Sequence, residues 1–206
     1  KKLFASGLAL MLAVGISSCA KEKAGDQSLS SAGLDDKALY EMGYAIKHIT
    51  PVTPELTDMT LKLLRASADM GNAEAMVQLG EMYLGGRVPL ENGQDTNQEA
   101  MKWWNSAWEH GAARAYHNLG LLYYGVSVPG TGGKGKGVVE QDYTKAFQYF
   151  KAAADKGDTK AVRYVGISYE NGQGVEQDYA KAAEYYEKNG EGFYLASLLL
   201  EGKGVN

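Results

Sequence analysis

The sequence predicts an all-α fold: a solenoid of stacked α/α helical hairpins, about four repeats plus a terminal half-repeat. Three observations carry this expectation. Gly137-Val138-Val139-Glu140-Gln141-Asp142-Tyr143-Thr144-Lys145-Ala146 is matched by Gly174-Val175-Glu176-Gln177-Asp178-Tyr179-Ala180-Lys181-Ala182, about 36 residues on, and a period of that size is the mark of repeated helix pairs. A second landmark lies in front of these: Leu79-Gly80-Glu81-Met82-Tyr83, Leu119-Gly120-Leu121-Leu122-Tyr123 and Val165-Gly166-Ile167-Ser168-Tyr169, with weaker copies at Met42-Gly43 and Leu195-Ala196. A third comes after them, the aromatic pairs Tyr149-Phe150 and Tyr185-Tyr186, with Trp103-Trp104 and Leu63-Leu64 in the same place in two earlier copies.

The chain starts with Lys1-Lys2, an apolar run from Leu3 to Ile16 and the small residues Ser17-Ser18 before Cys19. A basic start, a short apolar core and small residues is the layout of a secretory signal, expected over residues 1–18. The run is too short for a membrane span. Ile16-Ser17-Ser18-Cys19 resembles a bacterial lipobox, which implies cleavage before Cys19 and acylation of its thiol and new amino group, with chains such as palmitate. Diacylglycerol plus an amide-linked chain suffices for stable attachment. Ala20 follows where an inner-membrane retention signal tends to carry Asp, which favours the outer membrane; periplasmic and surface faces are both open. Residues 19–34 hold little to bury and read as a flexible tether.

The solenoid is expected over residues 35–206, in units of approximately 35–72, 73–112, 113–158 and 159–190 and a partial unit over 191–206. In the first, Thr53-Pro54 reads as an N-cap followed by proline at the first helical position. In the second, Asn72 caps the first helix, Ala75, Leu79, Met82 and Tyr83 share one face, and Thr96 with Glu99 reads as a capping box. Asp142, Asp158 and Asp178 are suitable caps further on. Gly71, Gly111 and Gly157 stand where second helices end and a left-handed backbone suits glycine. The glycine of each Leu-Gly landmark removes a side chain where two helices approach closely, and the tyrosine and later aromatic pair fill the space between hairpins. Two stretches depart from the pattern: a loop from Gly86 through Pro89 to Asp95, and a long insertion from Gly125 to Gly137, read as a flexible glycine-lysine loop. The last unit stops where its second helix would begin.

Composition narrows the function classes. The chain has 206 residues, a formal net charge of −4, one cysteine and 26 glycines. No basic patch suggests nucleic acid, and a single cysteine rules out an internal disulfide. Gly130-Thr131-Gly132-Gly133-Lys134-Gly135-Lys136-Gly137 nearly spells a phosphate-binding loop, but Gly137 replaces the Ser or Thr that would hold magnesium and no buried strand precedes it. Lys134 and Lys136 read instead as a cationic surface loop. His48, His110 and His117 read as surface residues, the carboxylates as scattered on repeat surfaces, and no metal, cofactor or nucleophile–base set is visible.

Ala-x-x-x-Leu-Gly-x-x-Tyr, then Gly-x-Gly-Val-x-x-Asp-x-x-Lys-Ala, an aromatic pair and Ala-Ala-x-x-Gly together resemble the Sel-one-like repeat, a relative of the tetratricopeptide repeat. The likeness covers about Asp35 to the end and is strong from Ala73 to Lys188. It implies a non-catalytic scaffold that binds a protein or peptide partner. Some cysteine-rich relatives are linked to penicillin-like compounds, but they carry a cysteine pair in each repeat and this chain has none. The likeness also leaves open an immunity protein that occludes a secreted toxin, and binding of cell-wall glycan or exported polysaccharide. Ligands of the related repeats contact first-helix positions around the Leu-Gly landmark. That spacing implies Tyr40 and Tyr44; Glu74, Val77 and Glu81; Arg114, His117, Leu121 and Tyr124; Lys160, Arg163, Ile167 and Glu170; and Phe193. Arg114, Lys160 and Arg163 make the third and fourth units basic and suit a carboxylate or a peptide C-terminus.

Overall fold

The computed structural model describes residues 33–48, 53–88, 95–135 and 137–203. Cys19 and its leader, the loop over residues 89–94 and Lys136 lie outside the described residues. Nine helices and no strand occur among the described residues: α1 (Asp36–Lys47), α2 (Pro54–Asp69), α3 (Ala73–Leu84), α4 (Thr96–Glu109), α5 (Ala113–Tyr124), α6 (Tyr143–Asp155), α7 (Thr159–Asn171), α8 (Tyr179–Lys188) and α9 (Gly192–Leu200). Each packs on the helix before and the helix after it, so α1/α2, α3/α4, α5/α6 and α7/α8 form hairpins and α9 rests on α8. The chain is an α/α hairpin solenoid, in which each unit buries its neighbour's apolar face.

The caps explain where the helices start. Asn72, Asp142, Asp158 and Asp178 each accept a hydrogen bond from the backbone N–H three residues on, at 2.8–2.9 Å. Thr53 does the same for Leu56 ahead of Pro54. The Thr96–Glu99 capping box is corrected. Asp95 is the N-cap, taking the N–H of Asn97 at 2.8 Å, and Thr96 is already helical. A carboxylate accepts more strongly than a hydroxyl at the positive end of a helix, and Glu99 pairs with Lys102 instead. Gly71, Gly111 and Gly157 leave their helices at φ of +92°, +95° and +91°.

Inside each hairpin the landmark glycine meets a large side chain of the second helix. A Cβ on Gly80 would run into the Trp104 indole, one on Gly120 would lie 2.5 Å from Phe150, and one on Gly166 would lie 2.6 Å from Tyr186. The same ring then serves the next unit: Phe150 stacks on Tyr164 at 4.5 Å and Tyr186 on Tyr194 at 5.2 Å between centroids. The other ring of each pair stays within its hairpin, Tyr149 on Tyr123 and Tyr185 on Tyr169. Trp104, Phe150 and Tyr186 are fully buried, and burying a side chain of this size contributes about 2–3 kcal/mol.

In two places the structure departs from the pattern expected of the repeat, and both bear on function. Every residue of α3 from Ala75 to Leu84 is buried, not one face alone. The insertion after α5 is a folded loop rather than a loose one. Val128 N–H donates to the Lys134 carbonyl at 2.9 Å, the Thr131 hydroxyl is shared between the carbonyls of Val128 and Lys134, and Val128 and Thr131 are each 1% exposed. The loop lies against the previous unit, with the Thr131 carbonyl 3.3 Å from the Cβ position of Gly85 and Glu81 beside Gly130. It covers the side of α3 that the helices leave open.

Candidate functional site

The first helices α1, α3, α5 and α7 frame a recess of about 650 Å³, which the folded insertion completes with Pro129 and Gly130. That volume suits a small ligand or a short segment of chain. Its walls carry Lys47 from α1, Glu81 from α3, Arg87 just after α3, Arg114 from α5 and Lys160 from α7, with His48, His117, Tyr44 and the amides Gln78 and Asn118. Four cations thus face one carboxylate among the lining residues.

Glu81 is the centre of the charge arrangement. Its carboxylate lies 3.3 Å from Lys47 Nζ and 3.6 Å from Arg114 Nη2, so it ties three successive first helices together. The side chains of Lys47 and Glu81 are only 7% and 8% exposed, and Lys47 also donates to Gln78. Burial pushes the Lys47 ammonium below its ordinary range, the attraction of Glu81 opposes this, and Arg87 and Arg114 add to the lowering. The expectation that the carboxylates are scattered on repeat surfaces is corrected at this residue. Glu81 is 6% exposed and held because it has two cationic neighbours, the condition under which a charge tolerates burial.

The recess is also lined by residues whose buried polar atoms find no hydrogen-bond partner among the described residues. Arg114 Nε and Nη2, His117 Nε2 and Asn118 Nδ2 are buried and have no hydrogen-bond partner among the described residues. Arg114 Nη2 sits 3.2 Å from Glu74 Oε2, an ion contact without hydrogen-bonding geometry. The surface placement expected for His117 is corrected: the residue is 3% exposed, against Phe150 and Tyr164, because α5 is covered by both α6 and α7. Burial holds its imidazole below the usual range, Asp158 opposes this, and Lys160 and Arg114 reinforce it. His48 and His110 are exposed. Unpaired buried polar atoms are rare in native proteins and call for an explanation.

Of the residues expected from spacing, the structure brings Tyr44, Glu81, Arg114, His117 and Lys160 into this recess. Tyr40 stands beside it, its ring 5.8 Å from that of Tyr44, with its hydroxyl pKa raised by burial and by Glu74. Glu74 is at the rim on Arg114. The others serve the stack. Tyr124 donates to Gln173 at 2.8 Å, Glu170 accepts from the Tyr186 hydroxyl, and Arg163 pairs with Glu191 at 2.6 Å. The basic trio is thereby split, and only Arg114 and Lys160 share a site. Val77 and Leu121 are core, while Phe193 is 81% exposed on α9. Sequence reasoning missed Lys47, Gln78, Arg87 and Asn118. Gln78 and Asn118 did leave a signal, being polar residues inside apolar helical runs.

A family model of the Sel1 repeat matches residues 73–111, 113–130, 132–158 and 159–188. The break after residue 130 falls in the folded insertion. The chain is 30% identical over 118 residues to the ERAD-associated E3 ubiquitin-protein ligase component HRD3B of Arabidopsis thaliana, covering 57% of this chain and 16% of that protein. It is similar to the crystal structure of a Sel1 repeat protein from Oxalobacter formigenes (TM-score 0.62, 28% identity, 81% of this chain and 62% of that one). It is also similar to c5321, a protective antigen present in uropathogenic Escherichia coli strains that displays an SLR fold (TM-score 0.67, 26% identity, 86% of this chain and 36% of that one). The chain thus spans less than two thirds of the length of each of these proteins.

Proposed function

This chain belongs to the Sel1 repeat family, and from that premise we propose that it is a lipid-anchored, non-catalytic scaffold of the bacterial cell envelope. In this reading it holds a protein or peptide partner on the face built by α1, α3, α5 and α7. Sel1 repeat proteins generally bind protein partners and act as scaffolds or adaptors. The observation that carries the reading here is the recess on that face, where buried polar atoms have no hydrogen-bond partner among the described residues. The mechanism is display: stacked hairpins hold the recess rigid, so a partner meets a preorganised surface and less ordering is lost on binding. Lipidation of Cys19 would set the scaffold at a membrane, the outer membrane by the residue that comes after it, with the stretch to residue 34 as tether.

Two experiments test the parts separately. A photo-reactive phenylalanine at Tyr44, in the wall of the recess, is expected to cross-link a discrete protein in the native envelope, while the same group at Gln148, exposed on the second helix α6, does not. Equal cross-linking from both positions, or none from Tyr44, overturns the scaffold reading. Growth with labelled palmitate is expected to label the native protein and not Cys19→Ser; label on both, or on neither, removes the lipid anchor.

A further inference from the structure

We infer that the recess is a binding site for a carboxylate carried by a peptide segment, with the Arg114 guanidinium as its principal contact and the insertion after α5 as one wall. The inference rests on the scaffold reading for the peptide; the carboxylate follows from the geometry of the site.

Nε and Nη2 are the two donors on one edge of a guanidinium, and at Arg114 neither makes a hydrogen bond among the described residues, although Nη2 is in ion contact with Glu74 at 3.2 Å and Glu81 at 3.6 Å. A planar carboxylate answers such an edge with two parallel hydrogen bonds. Glu74, nearly half exposed, touches this edge without hydrogen-bonding it, and a ligand carboxylate would take its place by displacing it into water. Asn118 Nδ2 and His117 Nε2 supply further polar atoms from residues 2% and 3% exposed. Arg87 and Lys160, both exposed, add positive charge at the mouth and draw an anion in. Glu81 sets the limit on ligand charge. Its buried carboxylate faces the same space, so a singly charged carboxylate is tolerated where a phosphate dianion would be repelled. The unpaired Asn118 amide and the Tyr44 ring at the rim suit peptide groups behind the carboxylate.

The insertion belongs to the site rather than merely neighbouring it. Pro129 and Gly130 line the recess, and Gly130, at φ +84°, allows no side chain there, because a Cβ would lie 2.6 Å from Glu81 Oε2. The extra residues in the third unit thus add a wall to a recess between first helices that stays open to solvent on one side.

The test is an NMR titration of the isotopically labelled full chain with three short peptides and one sugar acid. The peptides are N-acetyl-tetra-alanine with a free carboxylate, its C-terminal amide, and an amidated peptide bearing one aspartate. The sugar acid is an oligogalacturonate. Saturable shifts of Arg114 Nε–H and the Asn118 side-chain amide are expected with at least one carboxylate peptide, and which one distinguishes a chain end from an acidic side chain. The amide lacking any carboxylate should bind about tenfold to a hundredfold more weakly. Asn118→Leu removes an unpaired buried amide, so its fold should persist by circular dichroism while binding falls; Arg163→Gln, outside the recess, should bind as the native chain does. Equal binding of the amide, binding of the galacturonate alone, no shifts, or unchanged binding by Asn118→Leu each overturn the inference. Acid-peptide binding without any cross-linked partner would sink the scaffold and leave the site; a cross-linked partner without acid-peptide binding would do the reverse.

Discussion

Gly120 against Phe150 and Glu81 against Arg114 are both contacts between helices, but one is complete and the other is not. In the glycine–ring seam each ring fills the space a missing side chain leaves, and its polar atoms are used within the chain. Trp104 Nε1 donates to the Val77 carbonyl at 3.2 Å, and the Tyr186 hydroxyl donates to Glu170. In the recess four helices bring charges together, yet four polar atoms have no hydrogen-bond partner among the described residues. The difference separates what the fold needs from what it offers. A seam that satisfies itself is structural, and a buried polar set that does not is where a partner gains most, since every hydrogen bond it supplies relieves a cost already present.

The seam should be the costlier place to damage. Phe150→Ala leaves a cavity between Gly120 and Tyr164, and the expected loss is about 3–5 kcal/mol, measured by urea denaturation. Glu81→Gln removes the carboxylate shared by Lys47 and Arg114 and should cost about 3 kcal/mol, less than a fully enclosed pair because the Arg114 side chain is 37% exposed. The double variant Glu81→Gln with Lys47→Met should recover much of that loss. If it does not, the cost lies in packing and the recess is no different in kind from the seam. Gly120→Ala places a methyl 2.5 Å from Phe150 and should cost about 1–3 kcal/mol.

The two regions also differ in how far the sequence discloses them. Gly80, Gly120 and Gly166 and the rings they face recur at a fixed period, because each unit must solve the same packing problem with the same residues. That recurrence made the hairpins, most caps and the seam readable. The recess is built from differences between units. Arg114 and Lys160 share one repeat position, six residues before Gly120 and Gly166, but Lys47 and Glu81 stand at two other points of their units, and the wall is an insertion with no repeat counterpart. Spacing alone therefore grouped Arg163 with Arg114, although Arg163 is turned to Glu191. It also read His117 as exposed, because coverage from two later helices leaves no mark in the local pattern.

The smallest expected effect discriminates best between the regions. Burial, with Lys160 and Arg114, holds the His117 imidazole below its ordinary value of 6.5, against the pull of Asp158. Between that lowered value and 6.5 the folded chain binds fewer protons than the unfolded chain, so stability rises with pH in this window. His117's contribution is present in full above 6.5 and is lost as pH falls through the folded value. Urea denaturation from about pH 7.5 down to about pH 5 should therefore show a shallower acid loss in His117→Gln than in the native chain. A carboxylate bound at Arg114 would stabilise the imidazolium and raise that lowered value. Saturation with an acid peptide should then flatten the native chain's slope in the same way, and the peptide should bind more tightly as pH falls. A ligand-insensitive slope would mean that no anion reaches His117, and the recess would then be only a weakly paired part of the core.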